Sequence, residues 1–157
     1  MSVLASENTA LQLAKKLLKD FTECADQSHL IQYDVKGDLL GNFEAIFLHR
    51  GLYGFRITKD GKSAIAYIGK AEDGNRLRQH LTEKNKNGSA IAKSVSTKHK
   101  ALKIAIRLGF DVHLCIYSDI NFGKPSLSCL EIATAIYAKG DCARTFPTFK
   151  HWNERIG

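Results

Sequence analysis

Several features that define other classes of protein are missing from this 157-residue sequence. No apolar run is long enough to span a membrane, and the amino terminus lacks the basic and long apolar segments of a secretory signal. The four cysteines form no C-x-x-C pair and no zinc-ligand spacing, so we expect buried thiols at Cys24, Cys115, Cys129 and Cys142. These absences argue against a membrane protein and a disulfide scaffold, and they predict a cytoplasmic protein without a membrane partner.

Proline is scarce, with two residues in the chain, and there is neither an internal repeat nor a Pro/Gly/Ser-rich linker. Apolar residues make up 44% of the sequence and charged residues 25%, which is ordinary for a globule that buries a core. A chain of this length is typical of one compact domain with, at most, a terminal extension.

Positive charge is concentrated in the middle of the chain. The formal net charge is +7, yet residues 56–107 alone carry 13 Lys and Arg against four Asp and Glu. Phosphates attract clustered basic side chains through neutralisation and counterion release, which favours a polyanionic partner. A solvated, solubilising face explains the same excess, so charge alone leaves both interpretations open.

The hydrophobic pattern predicts a small α+β or α/β/α domain. Of these we expect an α+β fold with a small central antiparallel or mixed sheet of three strands flanked by helices. We expect strands at residues 45–57, 63–69 and 111–117. Helices are expected to begin near Ser6, Asp73, Ser89 and Ser126, and the last of them is expected to end at Ala138. The helix from Ser89 either continues toward Leu108 or is broken near residues 94–97, where helix propensity is poor. Residues 30–44 show no clear element.

Two short motifs lie on the predicted hairpin, Gly51-Leu52-Tyr53 on its first strand and Tyr67-Ile68-Gly69 on its second. Arg76 and His80 follow with a spacing of four, which places them on one face of a helix. Glu131 is the only charged residue between positions 126 and 138. A buried carboxylate needs a cation, a metal or hydrogen bonds, so Glu131 is either a functional group or the partner of an internal salt bridge, for example to Arg76.

In this order the motifs resemble those of the GIY-YIG nuclease superfamily, over residues 51–153. The two tripeptides look like its GIY and YIG elements, Arg76 like its catalytic arginine, Glu131 like its metal-binding glutamate and Asn153 like the asparagine that closes its domain. The interval from Tyr67 to Arg76 is one residue shorter than in many members, which leaves Arg78 as an alternative; the spacing to His80 favours Arg76.

The resemblance implies a Mg²⁺-dependent (or Mn²⁺-dependent) phosphodiester hydrolase. Arg76 presents a fixed fork of donors suited to phosphate oxygens, and one carboxylate such as Glu131 can hold a hard cation that keeps most of its waters. By resemblance, Tyr53 is the general base or positions the attacking water, and His80 relays the proton. The predicted catalytic set is Tyr53, Tyr67, Lys70, Arg76, His80, Glu131 and Asn153, each of which is otherwise an ordinary structural or surface residue.

If the protein is a nuclease, seven basic residues of the segment 56–107 are candidate contacts to the DNA backbone. They are Arg78, Lys84, Lys86, Lys93, Lys98, Lys100 and Lys103. We expect residues 51–157 to form the nuclease domain and residues 1–50 a helical extension for recognition or dimerisation. A small type II restriction endonuclease acting as a homodimer is the preferred subclass. An RNase, a nuclease toxin and a nucleic-acid-binding module without activity are the alternatives.

The hairpin offers a geometric expectation. A regular two-residue turn at Asp60-Gly61 points Tyr53 and Tyr67 to opposite faces of the sheet, because side chains alternate along a strand. A shared site therefore requires a three-residue loop, with Gly61 in the left-handed conformation, or a bulge with the same effect.

Overall fold

The computed structural model describes residues 3–23, 28–72, 75–85, 87–91, 97–118 and 127–153. In chain order, the elements are α1 (Val3–Glu23), β1 (Ser28–Leu30), α2 (Glu44–Phe47), β2 (Gly51–Lys59), β3 (Lys62–Ala71), α3 (Asn75–Thr82), α4 (Thr97–Arg107), β4 (Asp111–Ser118) and α5 (Leu127–Thr145). Within these residues, no helix is both long and apolar enough to cross a membrane.

The fold is α+β, as predicted, but its antiparallel sheet has four strands and not three, in the order β1-β4-β2-β3. The additional strand, β1, is only three residues long and pairs with β4, so it is too short to give a periodic signal. The strand expected at residues 45–57 begins only at Gly51. Phe43 and Phe47 are both buried, at a spacing of four, and they are the N-cap and the last residue of the short helix α2.

The observed helices also begin or end at other residues than those predicted. The helix expected from Ser89 begins at Thr97, since Ser89 accepts a backbone hydrogen bond from Asn85 in a turn. Helix α5 continues past the expected end at Ala138, because Ala138 and Cys142 are both buried on its inner face. The predicted helix starts at Asp73 and Ser126 lie outside the described residues.

The β2–β3 hairpin turns through two residues, so the predicted three-residue loop is wrong. Lys59 pairs with Lys62, and Asp60 and Gly61 both have positive φ angles, of 53° and 77°, as in the turns that match the twist of a hairpin. Further along, Phe55 pairs with Tyr67 while Arg56 pairs with Ile65, which leaves Ala66 as one extra residue in β3. This bulge has the effect that the alternative prediction required, because it returns Tyr67 to the face of β2 that carries Tyr53.

Two apolar layers cover the sheet. Tyr53, Phe55 and Ile57 of β2 face one layer, which includes Leu77 of α3 and Leu102 of α4. The other layer contains Leu52 and Ile68 and is built with residues of α1 and α5, among them Leu17, Phe21, Leu130 and Ala138.

The first 50 residues are built into this fold. Helix α1 packs in the same layer as α5, and β1 extends the sheet, so the described part of residues 1–50 has no apolar core separate from that of the rest of the described chain. A role of this segment in recognition or dimerisation stays a prediction.

The cysteines follow the expectation only in part. Cys115 and Cys142 are buried, and burial raises the pKa of the Cys142 thiol to about 11. Cys129 is exposed on α5, which corrects the prediction of a buried thiol at that position. Cys24 lies outside the described residues.

The hairpin turn can be tested with a matched pair of glycine substitutions. Gly61→Ala should lower the free energy of unfolding by about 1 kcal/mol, because alanine disfavours the positive φ of the turn although no atom obstructs its Cβ. Gly140→Ala, within α5, should raise it by about 0.5 kcal/mol through helix propensity. Urea unfolding of both variants measures the difference, and equal effects would contradict the turn geometry.

Candidate active site

An open cleft of about 520 Å³ lies at the end of β3. It is lined by eight described residues, Tyr53, Tyr67, Lys70, Glu72, Asn75, Arg76, Gln79 and Glu131. Five of the seven predicted catalytic residues are therefore brought together from β2, β3, α3 and α5. The other two, His80 and Asn153, lie directly behind the lining residues and bond to them or to their strand.

The two tyrosines share one wall of the cleft. Tyr53 lies opposite Gly69 in the ladder, and its ring centroid is 6.0 Å from that of Tyr67. A Cβ added to Gly69 would lie 2.5 Å from Cζ of Tyr53 and 2.8 Å from Cε1 of Tyr67. Glycine is therefore required at this position because the tyrosine rings occupy the space of a side chain.

His80 supports Tyr53 from the interior. The Tyr53 Oη and the His80 Nδ1 are 3.0 Å apart, and both side chains are buried. Burial, together with the positive charges of Arg76 and Lys98, lowers the pKa of His80 to about 3. The ring is therefore neutral at physiological pH, and its tautomer sets the direction of the hydrogen bond. With the proton on Nε2, Nδ1 accepts a hydrogen bond from the Tyr53 hydroxyl; with the proton on Nδ1, the ring donates to the Tyr53 oxygen.

The electrostatics of the tyrosines favour the protonated phenol. Burial raises the pKa of Tyr53 well above its ordinary value, and the neighbouring Tyr67 adds to the effect. Burial likewise raises the pKa of Tyr67. The Arg76 guanidinium opposes the increase at both residues without cancelling it. In this structure Tyr53 is consequently a hydrogen-bonding group, and its ionisation would need positive charge beyond that of Arg76.

The opposite wall carries the acidic group. Glu131 is half-buried on α5, and burial raises the pKa of its carboxyl group, against the lowering effect of Lys70 and Arg76. The backbone N–H of Lys70 hydrogen-bonds this carboxylate, whereas its ammonium group donates to Ser128 Oγ at 2.6 Å and pairs with Glu72 at 3.2 Å. Glu131 and Arg76 are both described and form no ion pair within 4.0 Å, so a salt bridge to Arg76 does not account for this carboxylate.

The donor set suits a hard cation that keeps most of its own water. No group of three or more His, Cys, Asp or Glu side chains among the described residues could hold a metal by itself. One partly buried carboxylate, Glu131, with Glu72 also in the cleft wall, corresponds to the way Mg²⁺ binds through one or two carboxylates and a substrate phosphate.

Asn153 closes the edge of β3. Its Oδ1 accepts the Ile68 N–H at 2.8 Å, and its Nδ2 donates to the Ile68 carbonyl at 3.0 Å. The preceding residues act alike, since the Trp152 N–H donates to the carbonyl of the bulged Ala66 and His151 Nε2 donates to the Ile65 carbonyl, both at 2.9 Å. We call residues 151–153 the edge clasp. It satisfies backbone groups that an edge strand would otherwise leave unpaired.

The five predicted phosphate contacts that lie in the described part of the chain divide into two groups. Lys84 and Lys100 are exposed, as a phosphate contact requires, whereas Lys86 and Lys93 lie outside the described residues. The other three have partners inside the chain. Arg78 forms a bidentate pair with Glu44, and its guanidinium lies over the Phe47 ring. Lys103 lies over the Tyr33 ring, and Lys98 donates to the Trp152 carbonyl. Since Arg78 faces Glu44 and Arg76 lines the cleft, the structure supports Arg76 as the arginine of the site.

Three lining residues were not predicted from the sequence. Asn75 and Gln79 flank the face of α3 that carries Arg76, so the helical spacing already pointed to them. Glu72 lies two residues beyond Lys70 on the same chain segment, and only its position beside Glu131 reveals it as a second acid of the cleft. Neither a model of a protein family, nor a curated protein, nor a solved structure matches this chain.

Substitution of Gly69 tests the tyrosine wall. Gly69→Ala should lower the free energy of unfolding by about 3 kcal/mol and displace both tyrosine rings, because the new methyl group overlaps them. The measurements are urea unfolding and the near-UV circular dichroism of the tyrosines. Gly61→Ala, in the same hairpin, is the control and should leave the tyrosine signal unchanged; an unaltered signal in Gly69→Ala would contradict the packing.

The buried state of His80 predicts acid sensitivity. Below about pH 6.5 the unfolded chain binds a proton at this ring, whereas the folded protein does not until about pH 3. The free energy of unfolding therefore falls with pH across this window. In His80→Gln, the loss between pH 7 and pH 4, measured by urea unfolding, should be smaller than in the parent by roughly 3 kcal/mol. A loss equal to that of the parent would show that His80 is not buried neutral.

Proposed function

We propose that this protein is a metal-dependent nuclease of the GIY-YIG type that hydrolyses phosphodiester bonds of DNA. The observation that carries the proposal is the cleft itself, in which two tyrosines, a lysine, an arginine and a glutamate from four elements surround one open volume. The motifs that provide these groups are far apart in the sequence. A chance resemblance of short tripeptides would not be expected to bring them together.

Each side chain has a role that its surroundings support. Arg76 is exposed in the cleft and presents its guanidinium to a phosphate, whose negative charge increases as the transition state forms. Tyr53 is hydrogen-bonded to the neutral His80 and would orient the attacking water. The low pKa of His80 opposes the proton relay that the resemblance implies for this residue. Asn153 keeps the strand that carries Tyr67 in place through Ile68.

Glu131 is the residue that would hold Mg²⁺ or Mn²⁺. When bound, such a cation offsets negative charge on the phosphate and favours deprotonation of water or of a nearby hydroxyl. Lys70 lies beside this carboxylate and lowers its pKa, so it keeps Glu131 available as an anionic ligand.

Within this proposal, a type II restriction endonuclease is the preferred subclass. One cleft cuts one strand at a time, so a symmetric cut through both strands requires a homodimer or two successive cuts. An RNase would use the same groups on another substrate, and a binding module without activity would retain only the affinity for nucleic acid.

Cleavage of plasmid DNA tests the proposal. The purified protein should convert supercoiled plasmid to nicked or linear DNA with MgCl₂ and not with EDTA. Arg76→Ala and Glu131→Gln should each reduce the rate by at least about 10²-fold, the loss typical of a removed transition-state contact. Gel analysis over time gives the rates.

Two substitutions near the end of α5 are matched controls. Arg144→Ala is the control for Arg76→Ala, and Asp141→Asn is the control for Glu131→Gln. Both residues are far along the helix from Glu131 and do not line the cleft. Both should cleave like the parent. Cleavage of RNA alone would replace DNA by RNA in the proposal, and salt-sensitive binding without any cleavage would favour the inactive module.

A further inference from the structure

Lys98 occupies a position that its sequence context does not reveal. It belongs to the basic segment and was predicted to contact a phosphate, yet its side chain is partly buried and directed inward. Its Nζ donates to the Trp152 carbonyl at 2.8 Å, and the same atom lies 5.1 Å from the centroid of the Tyr67 ring. The ammonium group is thus held between the edge clasp and a tyrosine of the cleft.

Both contacts are energetically meaningful for a cation. A lysine over the face of a tyrosine ring is attracted to the ring's negative face, and a charged donor to a backbone carbonyl makes a stronger hydrogen bond than a neutral one. Lys98 also lies at the second residue of α4, where the helix dipole disfavours positive charge. The carbonyl and the ring therefore compensate a charge that the helix itself does not stabilise.

The contacts of Lys98 extend to the site through the clasp. The carbonyl of Trp152 accepts from Lys98, and the N–H of Trp152 donates to the carbonyl of the bulged Ala66. The adjacent Asn153 hydrogen-bonds to both the N–H and the carbonyl of Ile68. Tyr67 lies between Ala66 and Ile68 in β3. Lys98 thus holds Tyr67 from two directions, by its ring face and by the backbone on either side of it.

We propose that Lys98 is a positioning residue of the cleft, which fixes the Tyr67 ring and docks the edge clasp, and that it is not a ligand of the nucleic-acid backbone. Its charge also contributes to the low pKa of His80, in keeping with a location behind the cleft wall. The kinetic consequence of this inference rests on the proposed nuclease function, whereas its structural consequence does not.

The kinetic test compares Lys98→Met with Lys100→Met, which removes an exposed lysine two residues further along the same helix. If Lys98 positions Tyr67, its variant should lose about tenfold or more in kcat on a DNA oligonucleotide, the factor expected for one lost charged hydrogen bond. KM and the salt dependence of binding should stay at the values of the parent. Lys100→Met should instead raise KM and reduce the salt slope by about one.

Conservative and alternative variants complete the kinetic test. Lys98→Arg keeps a cationic donor and should recover part of the lost kcat. If Lys98→Met does not fold, Lys98→Gln, which keeps a donor for the Trp152 carbonyl without the charge, takes its place with the same readouts. A raised KM together with a reduced salt slope in the Lys98 variant would identify a phosphate contact and overturn the inference.

The structural test needs no substrate. The Trp152 amide donates to the Ala66 carbonyl, and the Ile68 amide donates to Asn153 Oδ1. Hydrogen exchange of both amides should be about tenfold faster in Lys98→Met than in the parent or in Lys100→Met. Unchanged exchange would overturn the positioning role. If the parent cleaves no nucleic acid while these amides still respond to Lys98, the proposed function fails and the positioning role stands.

Discussion

The extra residue at Ala66 is the constraint on which the cleft depends. A two-residue turn alone would set Tyr67 on the face of the sheet that packs against α1 and α5. The bulge shifts the register by one, so that Tyr67 and Gly69 join Tyr53 on the other face while Lys70 points toward α5. Because β3 is the edge strand, groups from both faces meet at its end, and the tyrosines can share a cleft with Glu131.

A bulge at the edge of a sheet leaves backbone groups without partners, and the edge clasp provides them. His151, Trp152 and Asn153 bond to three residues in or beside the bulge, and Lys98 binds the clasp in turn. Each of these bonds replaces one that a further strand would have made. The same short segment therefore ends the sheet and stabilises the irregular stretch that carries Tyr67.

Much of the site could be predicted from the sequence because its signals are local. The helical spacing of Arg76 and His80, the lone charge of Glu131 and the order of the tripeptides all depend on nearby residues. What could not be predicted depends on distant ones. The bulge, for example, is hydrogen-bonded by the clasp, which is more than 80 residues away. The helix at residues 44–47 is an apolar run whose period is too short to distinguish from a strand.

The basic composition of residues 56–107 predicted the nucleic-acid contacts least well, because a count of lysines and arginines does not say where their side chains point. Arg56 and Arg78 belong to the basic segment, yet Arg56 is buried against the Phe21 carbonyl and Ser28, and Arg78 is paired with Glu44.

The clasp also determines when the site can form as the chain folds. Ile68 and Asn153 are 85 positions apart, so their pairing closes a long loop and makes a non-local contact. Local turns and hairpins form in microseconds, whereas contacts between distant segments are slower because the entropy of loop closure must be overcome first. The β2–β3 hairpin can therefore form early in folding, and the geometry of the cleft is completed in a late step.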